Sequence, residues 1–203
     1  AAPIEQSGQK QALWRTDPKL SGQGGCIADI GTHAVNLATF VTGLSVETVL
    51  ADLTAFGPGR SLDDNAAVLL RFATGAKGMI WASQITPGTK NALRLRIAGD
   101  QGGLAWDQEN PDLLELTLLG EPTRLLRRGG DHAQSPTRTP AGHPEGYLEA
   151  FATLYADAAE ALAKSGAPTR GGLLPDVQDG LFGLRFVAAC LKSNASGGVW
   201  ATV

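Results

Sequence analysis

The sequence predicts an α+β fold: a large, mostly antiparallel, open-faced sheet with helices packed on one face. Several segments of strand composition follow one another with only short turns between them. Such connections favour antiparallel pairing, because parallel strands need long crossovers. One helix is predicted before these strands and two longer helices after them. With 203 residues, the chain is long enough for one sizeable domain with its own core.

The first 23 residues form a lead-in that we expect to be extended, because proline and glycine turns such as Asp17-Pro18 and Ser21-Gly22 interrupt it. The chain starts with Ala1-Ala2-Pro3, and little in its first thirteen residues can pack. We therefore expect a piece of a longer protein, with a single α+β domain over residues 24–203.

Helical spacing predicts a helix over residues 29–42, which ends at the usual C-terminal stop, Gly43. Strands are predicted over residues 45–56, 65–72, 76–86, 93–97, 104–107, 113–119, 123–126 and 199–203. Several of these strands are apolar on both faces, and Trp81 lies in one of them. If helices cover one face of the sheet, the other face is expected to meet a second subunit, in a homodimer or homotetramer.

A polar segment rich in proline and glycine, residues 128–142, predicts a long loop. We expect a helix that opens at His143-Pro144-Glu145, with proline in its first turn. A second helix is expected from Pro175-Asp176 to just before Gly197-Gly198.

The bulk composition excludes several classes of partner. The net charge is −3 with acids and bases interspersed, which argues against nucleic acid or an anionic membrane. No apolar run approaches the roughly 18 residues that a membrane span needs. Two cysteines, Cys26 and Cys190, give no disulfide framework and suit a reducing compartment, so we expect a cytoplasmic protein.

The segment from Gly24 to Asn36 contains the most informative chemistry. Asp29, His33 and Asn36 project from one side of the predicted helix, and no further charged residue follows before Glu47. A helix without a charged face is usually covered on most sides, and buried acid and imidazole groups need partners. The spacing alone leaves two interpretations open: an Asp–His pair in a cleft, or a core histidine with Asp29 as a helix cap.

Other chemistries have little support. The three histidines have no metal-ligand spacing, and no nucleophile motif surrounds Cys26 or Cys190. The glycines before the helix do not form a dinucleotide fingerprint, and Asp29 would repel a phosphate at that helix start. A histidine held by a carboxylate can take a proton from a hydroxyl, and oxidation of that alcohol then needs a cofactor as hydride acceptor.

The run GGCIADIGTHAVNLATFVTG, residues 24–43, resembles the start of the C-terminal domain in the glucose–fructose oxidoreductase, inositol dehydrogenase and MocA family. Similar features continue over residues 10–203. They are Trp14-Arg15-Thr16-Asp17-Pro18, Asp63-Asp64-Asn65, Trp81-Ala82-Ser83-Gln84, Gly99-Asp100-Gln101-Gly102-Gly103, His143-Pro144-Glu145-Gly146-Tyr147 and Trp200.

The resemblance implies the C-terminal domain fold shared with dihydrodipicolinate reductase and glyceraldehyde-3-phosphate dehydrogenase. It also implies an NAD(P)-dependent oxidoreductase that acts on a sugar, polyol or cyclitol hydroxyl. Asp29 and His33 match the family's Asp-x-x-x-His, as orienting acid and general base. NAD or NADP and a catalytic lysine would belong to an N-terminal Rossmann domain absent here, with Gly25 approaching the nicotinamide. The chain alone is then expected to be inactive. No metal is expected at the site.

Substrate contacts are expected from Asn36, Arg15, Trp14 and His143. Many members have aspartate where this chain has Asn36, so we expect a change in which hydroxyl pattern is accepted. Trp14 is alternatively an anchor for its loop, and His143 a solvent-facing residue at a helix start. The competing function is a noncatalytic sugar-binding or scaffolding domain with a decayed site.

Overall fold

The computed structural model describes residues 13–130, 132, 137–163 and 173–203. The chain divides into two compact units, one formed by Ala1–Thr89 with Val177–Val203 and the other by Lys90–Asp176. In the described residues, the strands are β1 (Val46–Thr54), β2 (Asn65–Phe72), β3 (Lys77–Ser83), β4 (Arg94–Ala98), β5 (Gly102–Asp107), β6 (Leu113–Leu118), β7 (Arg124–Arg127) and β8 (Ala201–Thr202). The α-helices are α1 (Pro18–Ser21), α2 (Thr32–Thr42), α3 (Tyr147–Ala163) and α4 (Val177–Ala195).

Antiparallel pairing and the α+β class are confirmed, but the strands are divided between two sheets of four. The first sheet has the order β3-β2-β1-β8 and the second the order β4-β5-β6-β7. Between β3 and β4 the chain passes through a turn at Pro87-Gly88, where Gly88 has a φ of 87°. The chain therefore leaves the first sheet there, and β3 forms its edge.

The core of the first unit lies between its sheet and helices α2 and α4. Strand β2 alternates as predicted: Ala66, Val68, Leu70 and Phe72 are buried and the residues between them are exposed. Helix α4 contributes fully buried residues to the same core, and its Ser193 hydroxyl accepts a hydrogen bond from the backbone N–H of Ala51 at 2.9 Å. These contacts fix α4 against β1.

The opposite face of the first sheet presents large apolar side chains to solvent. Leu69 is 47% exposed, Met79 73% and Trp81 64%. The Trp81 indole N–H donates to the side-chain oxygen of Asn65 at 2.9 Å, which fixes the exposed ring. Helices thus cover one face of this sheet and leave an apolar surface on the other.

The second unit is a meander of four strands followed by α3. Helix α3 begins at Tyr147, later than the predicted start at His143. The Glu145 carboxylate accepts hydrogen bonds from the backbone N–H groups of Arg138 and Thr139, so it does not start the helix. Instead Glu149 accepts from the backbone N–H of Gly146, as in half of a capping box.

Part of the lead-in is helical, which corrects the expectation of an extended segment. Leu13–Thr16 is a 3₁₀ turn and Pro18–Ser21 is the single turn of α1. Asp17 caps α1 by accepting the N–H of Lys19 at 2.9 Å, and Pro18 occupies the first helical position. The same Asp17-Pro18 pair that indicated an interruption is therefore a helix start. Residues 1–12 lie outside the described part.

None of the helices that the structure describes combines the length and hydrophobicity required to cross a membrane.

Candidate functional site

Asp63 fixes the turn that leads into the candidate site. Its carboxylate accepts the N–H of Gly25 at 2.6 Å and the N–H of Ile27 at 2.8 Å. Its carbonyl oxygen accepts the N–H of Cys26 at 2.8 Å. One residue, 8% exposed, thus binds three consecutive N–H groups and determines where the following helix starts.

Gly25 is required in this turn because of a close backbone approach. A Cβ atom at this position would lie 2.0 Å from the carbonyl oxygen of Asp63. Glycine permits so close an approach because it has no Cβ atom. In the described residues, the group that Gly25 approaches closely is the backbone of Asp63.

The residues that follow form a π-helical turn, Ile27–Gly31, which continues directly into α2. The sequence predicted an ordinary α-helix here. Single π turns within helices often occur at functional sites, and this one contains Asp29. Ile27 and Gly31 are buried on the inner side of the turn, whereas the Asp29 side chain is 31% exposed.

Two residues distant in the sequence contact the Asp29 carboxylate. The Gln84 side-chain amide donates to Oδ2 at 3.1 Å. The Arg15 guanidinium lies 3.6 Å from the same oxygen and also lies over the Trp14 ring, at 5.5 Å from its centroid. The structure therefore connects three predicted site residues. Arg15 makes a cation–π contact with Trp14 and an ion pair with Asp29.

His33 and Asn36 lie farther along α2, and both side chains are exposed. Among the residues that the structure describes, none forms a hydrogen bond or ion pair with the His33 imidazole. Asp29 is bound from two other elements instead.

A small cavity adjoins Asp29. It is lined by Arg15, Thr16, Gly25, Arg60, Ser61, Leu62, Asp63 and Gln84, and its volume is about 20 Å³. This is room for about one water molecule and not for a sugar. Arg60 lies 3.3 Å from Asp64, whose fully buried carboxylate also accepts the N–H groups of Phe56 and Gly57. The cavity wall is thus rigid, and the Arg60 charge in it is already paired with Asp64.

The two cysteines are free, buried and poorly suited to nucleophilic catalysis. Burial raises the pKa of the Cys190 thiol to about 12. Burial, together with the negative charge of Asp63, raises the pKa of the Cys26 thiol still further. Since the thiolate is the reactive form, neither group is activated. Within the described residues, no group of three or more His, Cys, Asp or Glu side chains could hold a metal ion.

His143 belongs to the second unit, at the end of a loop that Arg128 holds together. The Arg128 guanidinium donates to the Asp112 carboxylate, to the Glu145 carboxylate, to both oxygens of Thr139 and to the His143 carbonyl. Hydrogen bonds from the Thr139 backbone N–H and other donors hold the pKa of Glu145 below its usual value. These contacts fix the described residues that precede α3, and they leave the His143 side chain exposed.

Two residues at the site were not assigned a role from the sequence. Gln84 appears in the sequence only as the last residue of a strand motif, and Asp63 only as one of two adjacent acids before β2. Asp63 and Asp64 directly precede the strand that starts at Asn65, with no basic residue between them and the strand. That pattern indicates buried carboxylates bound by backbone N–H groups, as Asp63 and Asp64 are here.

The model of the GFO/IDH/MocA C-terminal domain matches residues 2–105, which include the turn, the π turn and the first three strands. The chain belongs to the GFO/IDH/MocA family. The resemblance predicted from the sequence is therefore confirmed. Within the matched residues, Asp29 lies on the π turn and His33 on α2.

Three relatives agree with this assignment. An uncharacterized oxidoreductase of Bacillus subtilis, YfiI, is 32% identical over 92% of this chain and 50% of its own length. The crystal structure of an oxidoreductase from Sinorhizobium meliloti is 48% identical over 86% of this chain and 51% of that one, with a TM-score of 0.82. An inositol dehydrogenase homolog from Azotobacter vinelandii, complexed with NAD⁺, is 32% identical over 97% of this chain and 53% of that one, with a TM-score of 0.90.

A structure of an inositol dehydrogenase homolog from Azotobacter vinelandii complexed with NADH and myo-inositol also matches. It is 30% identical over 96% of this chain and 52% of that one, with a TM-score of 0.87. This GFO/IDH/MocA chain spans about half the length of each of these relatives.

Proposed function

We propose that this chain is the substrate domain of an NAD(P)-dependent oxidoreductase that acts on a CH–OH group of a sugar, polyol or cyclitol. The observation that carries the proposal is the position of Asp29. Its carboxylate is held by Arg15 and Gln84 on a π turn, four residues before an exposed histidine. The relatives of this chain also support the proposal, because they are oxidoreductases and include an inositol dehydrogenase homolog.

In this proposal His33 is the general base. It takes the proton of the substrate hydroxyl, and the negative charge of Asp29 stabilises the resulting imidazolium. Asn36, Arg15, Trp14 and His143 are the proposed substrate contacts. Asn36 follows His33 on the exposed side of α2, so its amide would meet a hydroxyl beside the reacting one.

The turn over residues 25–29 is poorly suited to bind the phosphates of a dinucleotide. The N–H groups of Gly25 and Ile27, which would face such an anion, are already bound by the Asp63 carboxylate. Asp29 adds a further negative charge in the same turn. We therefore propose that NAD or NADP is bound mainly by an N-terminal domain, with Gly25 near the nicotinamide at most. When bound, the cofactor supplies the hydride acceptor, and this chain handles the proton.

The test is an assay of the complete protein with NAD⁺ or NADP⁺ and a panel of sugars, polyols and cyclitols, myo-inositol among them. We expect reduction of one cofactor with at least one alcohol, and none by the 203-residue chain alone. Saturable binding of a polyol without reduction of either cofactor by the complete protein would contradict the enzymatic proposal and favour a noncatalytic sugar-binding domain.

Both cysteines are free and buried, and we propose that the protein works in the cytoplasm.

We further propose that the exposed apolar face of the first sheet is the contact surface of a homodimer or homotetramer. Met79 and Trp81 stand on this face, 73% and 64% exposed. Lysine in place of both should yield monomers in multi-angle light scattering at micromolar concentration, because charges are poorly accommodated in an apolar interface. Leu125→Lys, at a 61% exposed position of the second unit, is the control and should leave the mass unchanged. A wild-type monomer would contradict the proposal.

A further inference from the structure

We infer that Gln84 is a positioning residue for the acid–base pair, an inference that rests on the proposed function. Gln84 directly follows β3, and its own backbone is fixed because its N–H donates to the carbonyl of Asp64 at 2.8 Å. Its side chain crosses to the π turn, where the amide donates to Oδ2 of Asp29 at 3.1 Å. A rigid strand end thus determines the orientation of a carboxylate on another element.

The choice of oxygen matters for the chemistry. Gln84 and Arg15 both approach Oδ2, and no donor from the described residues binds Oδ1. With Oδ2 occupied, Oδ1 is the oxygen available to an imidazole or to a substrate hydroxyl. In addition, the Gln84 side chain is a neutral amide, so it binds the Asp29 carboxylate without neutralising its charge. Apart from the ion pair with Arg15, the negative charge then remains available to stabilise the His33 cation.

The attachment of the π turn to the strand end does not depend on Gln84 alone. The Cys26 thiol donates to the Ala82 carbonyl at 3.5 Å, and Asp63 holds the preceding N–H groups. Removal of the Gln84 amide should therefore leave the π turn in place and release only the Asp29 side chain. This separation makes a positioning role distinguishable from a structural one.

Two variants of the complete oxidoreductase test the inference. Gln84→Met removes the donor at similar length, and we expect kcat to fall about ten- to a hundredfold with a smaller change in KM, since a hydrogen bond to a charged group is lost. Gln84→Glu places a second carboxylate beside Asp29. Two negative charges should favour the imidazolium, raise the pKa of His33 and move the acidic limb of the kcat/KM profile to higher pH.

Other charged groups around Asp29 also contribute to that pH profile. They are Arg15, which faces Oδ2 directly, and the acids Asp63 and Asp64, which face the neighbouring Cys26. Arg60 is paired with Asp64. All of these are unchanged in both variants, so a shift between the variants reports on the residue at position 84.

An NMR titration of the His33 imidazole in the 203-residue chain gives a readout that does not require catalysis. A lower His33 pKa in Gln84→Met than in wild type, at an unchanged melting temperature, supports the inference, because an Asp29 carboxylate that has lost this hydrogen bond stabilises the imidazolium less. Equal titration curves, or a loss of rate that only parallels a loss of thermal stability, overturn it. Gln101→Met, at an exposed position in the second unit, is the matched control and should change neither quantity. If His33→Ala retains full turnover, the proposed function fails, whereas the titration still decides on Gln84.

Discussion

Replacement of His33 by alanine in the complete protein should lower kcat by about 10²- to 10⁴-fold, the usual contribution of a general base. The imidazole is exposed, and among the described residues it makes no hydrogen bond or ion pair. Its removal should therefore leave the fold and the melting temperature unchanged. KM should change much less than kcat, because in this proposal the imidazole accepts the proton in the transition state, whereas other residues bind the substrate.

The measurement is the initial rate of NAD(P)⁺ reduction under saturating substrate, accompanied by circular dichroism of each variant. His132→Ala is the matched control, since His132 is also exposed and has no role in the proposal. Turnover of His33→Ala within a factor of two of the wild type would exclude this histidine as the base. Equal losses in both variants would point to an effect unrelated to the site.

Gly25→Ala should destabilise the first unit by about 3 kcal/mol or more. The added methyl group would meet the Asp63 carbonyl oxygen at 2.0 Å, a backbone atom that cannot rotate away. Overpacking of this kind alone costs about 1–3 kcal/mol. Any shift that relieves the clash also disturbs the 2.6 Å bond from Gly25 N–H to the Asp63 carboxylate, and a hydrogen bond to a charged group is worth about 1.5–3 kcal/mol.

The urea midpoint of the 203-residue chain measures this effect. Gly180→Ala is the control, because nothing lies within 4 Å of a Cβ at that exposed position of α4. In a helix, alanine is preferred to glycine by about 0.5–1 kcal/mol, so the control should be as stable as the wild type or slightly more so. A midpoint for Gly25→Ala equal to that of the wild type would show that the turn can relax without loss.

The elements predicted most accurately are those with a local cause. The two-residue alternation of Ala66 to Phe72 indicates a strand with one buried face, and the structure has that strand and that face. Gly43 ends α2 in the left-handed conformation, with a φ of 67°, as its position after the apolar helix residues predicts. Each of these features depends on side chains within a few residues, which the sequence lists side by side.

The division into two sheets and the contacts of Asp29 have no local cause. Whether β4 pairs with β3 depends on the direction of the chain after Pro87-Gly88, and strand composition does not encode it. Gln84 is 55 residues away from the Asp29 that it binds. The π turn likewise has no side-chain signature that distinguishes Ile27–Gly31 from an α-helix. The spacing of Asp29 and His33 identified the candidate pair, but only the fold shows which groups hold the acid.

The contacts of Arg128 bear on how this protein could diverge. Two of the groups it binds in the loop, the Thr139 and His143 carbonyls, are backbone atoms that every residue carries. The conformation of the segment therefore does not depend on which side chain stands at position 143. Replacement of the exposed side chain at position 143 should therefore carry no penalty in folding, provided that Arg128 and Glu145 are retained.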